Sequence, residues 1–509
     1  MLPRMYKTAE TVFLLAAGAL LLGSGCLAAR PTLSPTAPLE VLHLPDGGCE
    51  RIYDTDGDNR GDYGEHLSPS SPGRIVMLRF DTDGDGTLDL EIERPGSPAA
   101  TVDESSTPAP LRLLIIADSI PFEMVRNLYA HGRFRLFHPP SRVISPFPVM
   151  TDVCLNELFG TSPAPGVETE YYDGRRFHDG FGPYTGEANS PWLAKVDYHL
   201  SYSRHDQAYL APYRWFDQEL ADIERTVDNT RKPTTIVYAV GTSALGIKAG
   251  RDGHAAGLLR LDRFCQALMC RFRGQIEITL MSDHGHNLGP AKLLALKHAL
   301  NAMGYRVTQV LQQPQDVVVP AFGIVDCAAV YTASPARVAR DLTAVEGVEL
   351  SVYRGENGNV IVVSRNGMAS VSAGQKGYKY DTQHGDPLKL ASVLEDLQQH
   401  GLVDAKGFID DDAFFRATVE HPYPDSLRRL HRAFHGLVEH TPDVLVSLSD
   451  GWCWGSPFMA RFLTVSATHG ALSRSSSTGF VMSTAAPLPD ALRMEDVADA
   501  LRRAGAWTE

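Results

Sequence analysis

Cysteine is scarce. The 509-residue chain has 7 (at 26, 49, 154, 265, 270, 327 and 453), with no C-x-x-C pair and no metal-ligand spacing among them. A cysteine-built metal site or redox motif is therefore excluded as the organising device, and the thiols read as small buried hydrophobes that an exported chain can in part pair. Basic residues are also in the minority, with Lys+Arg 47 against Asp+Glu 61, a net charge of −14. The pI is near 5.7 and no basic stripe runs along any segment, which excludes nucleic acid as a partner. After the first thirty residues no hydrophobic stretch is long enough to span a bilayer. What is abundant is ordinary apolar sequence: 43% hydrophobic residues suffice for a large core and an accessory module.

Residues 1–30 read as a targeting segment. Arg4 and Lys7 precede the run V-F-L-L-A-A-G-A-L-L-L, which breaks into G-S-G-C-L-A-A. That pattern predicts a secretory signal peptide and an exported, periplasmic or cell-envelope protein. Cys26 after small residues is similar to a lipobox, although Gly23 stands where Leu is usual. Lipid anchoring at Cys26, which would be the one tie to a membrane, and plain secretion both stay open.

Residues 31–108 predict a linker, over 31–45, and an acidic module. Within them, Y-D-T-D-G-D-N-R-G-D and F-D-T-D-G-D-G-T-L-D share one spacing: Asp54, Asp56, Asp58 and Asp62, then Asp81, Asp83, Asp85 and Asp89. Alternate carboxylates on a tight turn converge, and a hard cation offsets their repulsion, so both loops predict calcium. Glu65 occupies position twelve of the first copy, the bidentate place in an EF-hand loop. The flanks R-I-V-M-L-R-F and L-D-L-E-I-E-R alternate like strands, which points to β-flanked loops with a structural role.

Residues 109–509 alternate strand and helix and predict an α/β domain with a central, mostly parallel sheet flanked by helices. A helix is expected from Pro290 and a strand-rich insertion at about 305–385, with a hairpin around Asn366-Gly367. Several apolar runs end in polar residues: L-R-L-L-I-I-A at Asp118, T-T-I-V-Y-A-V at Gly241, I-E-I-T-L-M-S at Asp283 and His284, and F-L-T-V-S-A-T at His469. In open α/β sheets ligands gather where strands end, so these termini are candidates to converge. Thr151 opens a helix after the turn S-P-F-P-V-M, where free N–H groups favour an anion, although the same position suits a plain N-cap.

The series A-D-S, F-P-V-M-T-D, G-T-S-A-L-G, S-D-H-G-H and T-H-G, spread over roughly residues 111–485, resembles the alkaline phosphatase superfamily in its nucleotide pyrophosphatase/phosphodiesterase-like branch. The resemblance implies an alkaline-phosphatase-like fold and two zinc ions over a Thr or Ser nucleophile. One metal site carries over intact as Asp118, Thr151, Asp283 and His284. The other keeps His469, but Ser243 stands where the resemblance implies an Asp and Ile247 where it implies a His. Asp252 and His254 lie a few residues on as substitutes, and His286 lies beside the intact site.

The expectation is a metal-dependent phosphoric ester hydrolase with Thr151 as nucleophile, a small phosphorylated substrate, and one divalent ion, zinc before manganese or magnesium, rather than two. The competing expectation is an impaired relative that binds a phosphorylated or sulfated ligand without turnover.

Overall fold

The computed structural model describes residues 38–54, 59–70, 75–81, 85–93, 110–180, 190–272, 274–461 and 465–508. The expected targeting segment, 1–30, and Cys26 lie outside them. Among the described residues, no helix is long and apolar enough to cross a membrane.

The central sheet has six strands. Leu111–Ala117 pairs in parallel with Thr234–Ala239 on one side and with Ile276–Met281 on the other. Thr478–Ser483 then runs antiparallel, followed by Ser141–Ile144 and Ala491–Arg493, which pair in parallel with each other. Five of the six strands therefore share one direction, and the mostly parallel sheet read from the sequence is present. Its strands are apolar on both faces because both faces are covered. Leu113, Ile115 and Ala117 pack with Phe216, Ile223, Leu258 and Leu261 on one side. Leu114 and Ile116 pack with Leu155, Leu158, Val497 and Leu501 on the other.

Register places the site. Ala117 lies opposite Ala239, and Ile116 opposite Met281, so the three parallel strands end level with one another. Asp118, Gly241 and Asp283 therefore leave the sheet along one edge.

A nine-stranded sheet lies beyond. Seven of its strands fall within 305–385, and the Val360–Ser364 and Gly367–Ala373 strands form the expected hairpin, closed at Ser364 and Gly367. Ile409–Asp410 and Val444–Leu448 come from further along the chain. The latter slots between Cys327–Thr332 and Val348–Arg354, so the strand-rich stretch is laced to downstream sequence.

Three local expectations are corrected. Residues 465–469 form no strand. They run as a loop that makes one bridge, Thr468 to Asn287, and the sheet member near them is Thr478–Ser483. The helix expected from Pro290 begins only at Leu296, after the short Lys292–Leu293 strand pairs with Trp452 and Cys453. Residues 40–43, read as linker, form the first strand of an antiparallel five-stranded meander that continues through Cys49–Tyr53, Tyr63–Leu67, Ile75–Phe80 and Leu90–Glu93.

Candidate active site

Asp118 and Asp283 sit at the ends of neighbouring parallel strands and are buried, at 4% and 0% exposure. Together with His284, also buried, each offers one ligand atom within 4.8 Å of the others. Two carboxylates so placed repel each other, and the local structure shows what holds them. The Tyr238 hydroxyl donates to Asp118 Oδ2 at 2.7 Å, and the Ser119 hydroxyl donates to its Oδ1 at 2.6 Å. Asp283 Oδ1 accepts the backbone N–H groups of Ser119 and His284 at 3.0 and 2.9 Å. Asp283 Oδ2 is buried without a hydrogen-bond partner, 3.3 Å from His284 Nε2. Burial first, and then the charge of Asp118, raises the Asp283 carboxyl above the usual carboxylate range.

The His284 ring is oriented for ligation. Its Nδ1 lies 2.8 Å from the Gly285 carbonyl; with the proton there, Nε2 is left with its lone pair toward the carboxylates. Burial lowers its pKa, so the ring stays neutral. Gly285 is obligatory for this turn: a Cβ would stand 2.4 Å from the Ser475 carbonyl and 2.8 Å from that of Thr478.

Thr151 reaches the same point from the other side. It is the first residue of the Thr151–Phe159 helix; the N-cap is Met150 in extended backbone, so Thr151 is not the cap. Its Oγ1 is 3.3 Å from His284 Nε2. The neighbouring Asp152 carboxylate accepts from Ser190 Oγ and Trp192 Nε1, both at 2.7 Å, which anchors the start of the helix against the 190–195 turn.

His469 is carried in by its loop. Its Nδ1 lies 2.8 Å from the Val149 carbonyl, two residues before Thr151, and its ring stacks on His284 with centroids 4.1 Å apart. Backbone bonds from Val149 to Gly470 and from Asp326 to His469 fix the loop to both sides. Asp118, Thr151, Asp283, His284 and His469 are thus brought to one place.

The remaining sequence-predicted positions divide. Ser243 and Ile247 lie in the helical stretch that starts at Gly241 and breaks at Gly250. Ser243 is buried, with its Oγ 3.2 Å from Ser119 Oγ. Asp252 is exposed on the far side of the break, and no bond ties it to the cluster; as a substitute ligand it is withdrawn. His254 turns inward, and its Nε2 meets His286 Nδ1 at 2.9 Å. The His286 ring is 5.7 Å from that of His469. Both rings are buried and kept neutral by burial, with His254 lowered to about 3 and His286 well below its ordinary value.

Sequence reasoning passed over Ser119 and Tyr238. The first stood inside the quoted A-D-S. The second is the penultimate residue of a strand, a position whose side chain shares a face with the following active edge, and an aromatic hydroxyl there is a usable signal.

The acidic loops join strands of the N-terminal meander, as their alternating flanks suggest. Asp56, Asp58 and Asp83 lie outside the described residues. Asp54 Oδ2 accepts the Asn59 N–H at 2.8 Å and Asp81 Oδ2 the Gly86 N–H at 2.6 Å, two equivalent turns. Glu65 is corrected. It lies inside the Tyr63–Leu67 strand at 0% exposure, with Tyr53, Tyr63 and Arg135 bonded to its carboxylate at 3.2, 3.2 and 2.9 Å. A strand residue so engaged cannot close a calcium loop in the EF-hand manner. Asp62 and Asp89 are at the far ends of their loops, and Asp85 is on the second turn.

No family model matches the chain. No curated protein matches it either. Among solved structures the chain is similar to phosphonoacetate hydrolase from Sinorhizobium meliloti in complex with phosphonoformate, at 12% identity and a TM-score of 0.41, over 78% of this chain and 97% of that one. It is also similar to human ectonucleotide pyrophosphatase/phosphodiesterase 5, at 11% identity and a TM-score of 0.41, over 79% and 96%. The murine form of that protein, as an inactive variant in complex with AMP, matches at 10% identity and a TM-score of 0.41, over the same shares.

Proposed function

We propose that this chain is an exported phosphoric ester hydrolase in which Thr151 is the nucleophile and Asp118, Asp283, His284 and Thr151 hold one divalent cation. The observation that carries this reading is the partnerless Asp283 Oδ2, buried beside Asp118 and His284 with the Thr151 hydroxyl across from it. A buried anionic oxygen without a donor is costly, and a cation is what satisfies it. Two carboxylates neutralise one such ion, and the imidazole favours zinc over magnesium.

Bound there, the ion would acidify the Thr151 hydroxyl and draw charge from a phosphoryl oxygen. The chain supplies the rest. Thr151 Oγ1 forms the bond to phosphorus as the ester's leaving oxygen departs, and water then displaces threonine to regenerate the hydroxyl. The open amide groups at the start of the Thr151 helix favour the anionic group that sits over them. The substrate is accordingly a small phosphorylated molecule. The acidic loops take calcium in a structural role, and the segment before them is the export signal, with Cys26 as the candidate lipid anchor.

A second reading has one observation in its favour. Ser243 offers a hydroxyl already bonded to Ser119, and Ile247 offers no ligand atom, so a second ion finds no carboxylate. On that reading the chain retains a phosphorylated or sulfated ligand without turning it over. Release of alcohol from aryl phosphate mono- and diesters, measured alongside bound metal, separates the two. Stoichiometric metal with no release at any pH would favour retention, and release that needs Thr151 would favour hydrolysis.

A further inference from the structure

Ser119 adopts a left-handed backbone conformation, with φ of +64°, at a position with no solvent exposure. A side chain there is unfavourable, and glycine would take the same turn freely. Serine nonetheless occupies it, directly between the two carboxylates. Its N–H donates to Asp283 Oδ1 at 3.0 Å, and its hydroxyl donates to Asp118 Oδ1 at 2.6 Å. The same hydroxyl also points at Ser243 Oγ, which accepts it at the longer distance of 3.2 Å.

We infer that Ser119 is the positioning residue of the cation seat: one residue grips one oxygen of each carboxylate, and Ser243 stands behind it as a second acceptor. The inference rests on the seat proposed above. Held this way, the carboxylates cannot swing apart under mutual repulsion, and Asp283 Oδ2 is left partnerless beside His284 Nε2. Ser243 thereby has a use of its own. It does not hold an ion; its oxygen is the second acceptor of the Ser119 hydroxyl and so helps fix the Ser119 rotamer. Backbone strain at a functional position is retained where it orients reacting groups.

The test uses the full chain, in Ser119→Gly, Ser119→Ala and Ser243→Ala forms. Zinc affinity is read by competition with a chromogenic chelator, and thermal stability is read on metal-free protein. Ser119→Gly keeps the turn and the N–H but loses the hydroxyl. Its metal-free melting temperature is expected to match or exceed wild type, while zinc affinity falls by roughly 10–100-fold, the usual effect of losing a group that orients a ligand. Ser119→Ala is expected to lose both stability and affinity. Ser243→Ala, which carries no backbone strain, is expected to weaken zinc less than Ser119→Gly does. Wild-type affinity in Ser119→Gly would overturn the inference, as would affinity losses that merely track stability losses across all three variants. Wild-type protein that takes up no zinc would instead overturn the seat itself, and the positioning role with it.

Discussion

Thr151 Oγ1 lies 3.3 Å from His284 Nε2, across two elements 133 residues apart in the chain. The pair is locked from both sides. The Thr151 helix is tied down by Asp152, and the His284 ring by its own Gly285 carbonyl. On the hydrolase reading proposed above, the phosphoryl group sits at that contact.

Thr151→Ala should lower hydrolysis of an aryl phosphate ester by on the order of a thousandfold or more, as removal of a nucleophile does. Thr151 makes no cap bond, so the melting temperature should stay within about 2 °C of wild type. Undiminished turnover in a folded variant would place the chemistry elsewhere.

Metal analysis should find one ion per chain at the active edge, calcium aside. Two divalent ions about 4 Å apart repel by roughly 16 kcal/mol at an effective dielectric of 20, so each needs anionic ligands of its own. Asp118 and Asp283 serve only the first. Asp283→Asn should therefore abolish stoichiometric binding, whereas Ser243→Asp with Ile247→His should raise both the metal count and turnover. Anomalous scattering from two fully occupied ions in the unmodified chain would contradict this.

Stability should fall on mild acidification. His205 is buried, with its Nε2 on the Leu200 carbonyl, and burial lowers its pKa to about 4 from the ordinary 6.5. The unfolded chain takes up a proton at this residue near the ordinary value, while the folded chain resists until the lower one. Its contribution is thus present above about pH 6.5 and drains away as pH falls toward about 4, worth up to about 3 kcal/mol. His205→Gln keeps an N–H donor and removes the titration. Urea unfolding across that window should show a flatter pH dependence in the variant; equal slopes would refute the assignment.

Calcium should raise the melting temperature of the intact chain relative to chelator, and Asp54→Asn combined with Asp81→Asn should erase the difference. Each carboxylate already anchors its own turn, at Asn59 and Gly86, so the metal-free variant should also melt slightly earlier. Superimposable melts with and without calcium would rule out the site.

Much of the sheet was legible in the sequence. Buried parallel strands write themselves as unbroken apolar runs, and the polar residues that end two of those runs, Asp118 and Asp283, lie side by side at the sheet edge. His469 was read as the end of a strand, and the residues before it form a loop instead. V-S-A-T has the composition of a strand, yet it is held by scattered backbone bonds to Ile247, Asn287 and Ala291, which local sequence does not encode. Glu65 misled for the opposite reason. Its spacing from Asp54 fits a calcium loop, but its position in the strand alternation faces the core, and pleat outranks spacing. Ser119 was invisible because nothing in the letters A-D-S announces a positive φ.

Glu65 has a wider consequence. Its carboxylate is buried between two tyrosines and Arg135, while Tyr53, Tyr63, Leu78 and Phe80 share a core with Phe134 and Phe137. The N-terminal meander is thus not an appendage on a tether. It is one wall of the α/β body, and the 94–109 stretch joins parts already fastened to each other. Protease cutting anywhere in that stretch should leave two fragments that travel together on a native gel and unfold in a single transition. A chain begun at residue 109, by contrast, would present Phe134 and the Arg135 face to water and should be recovered mainly as aggregate.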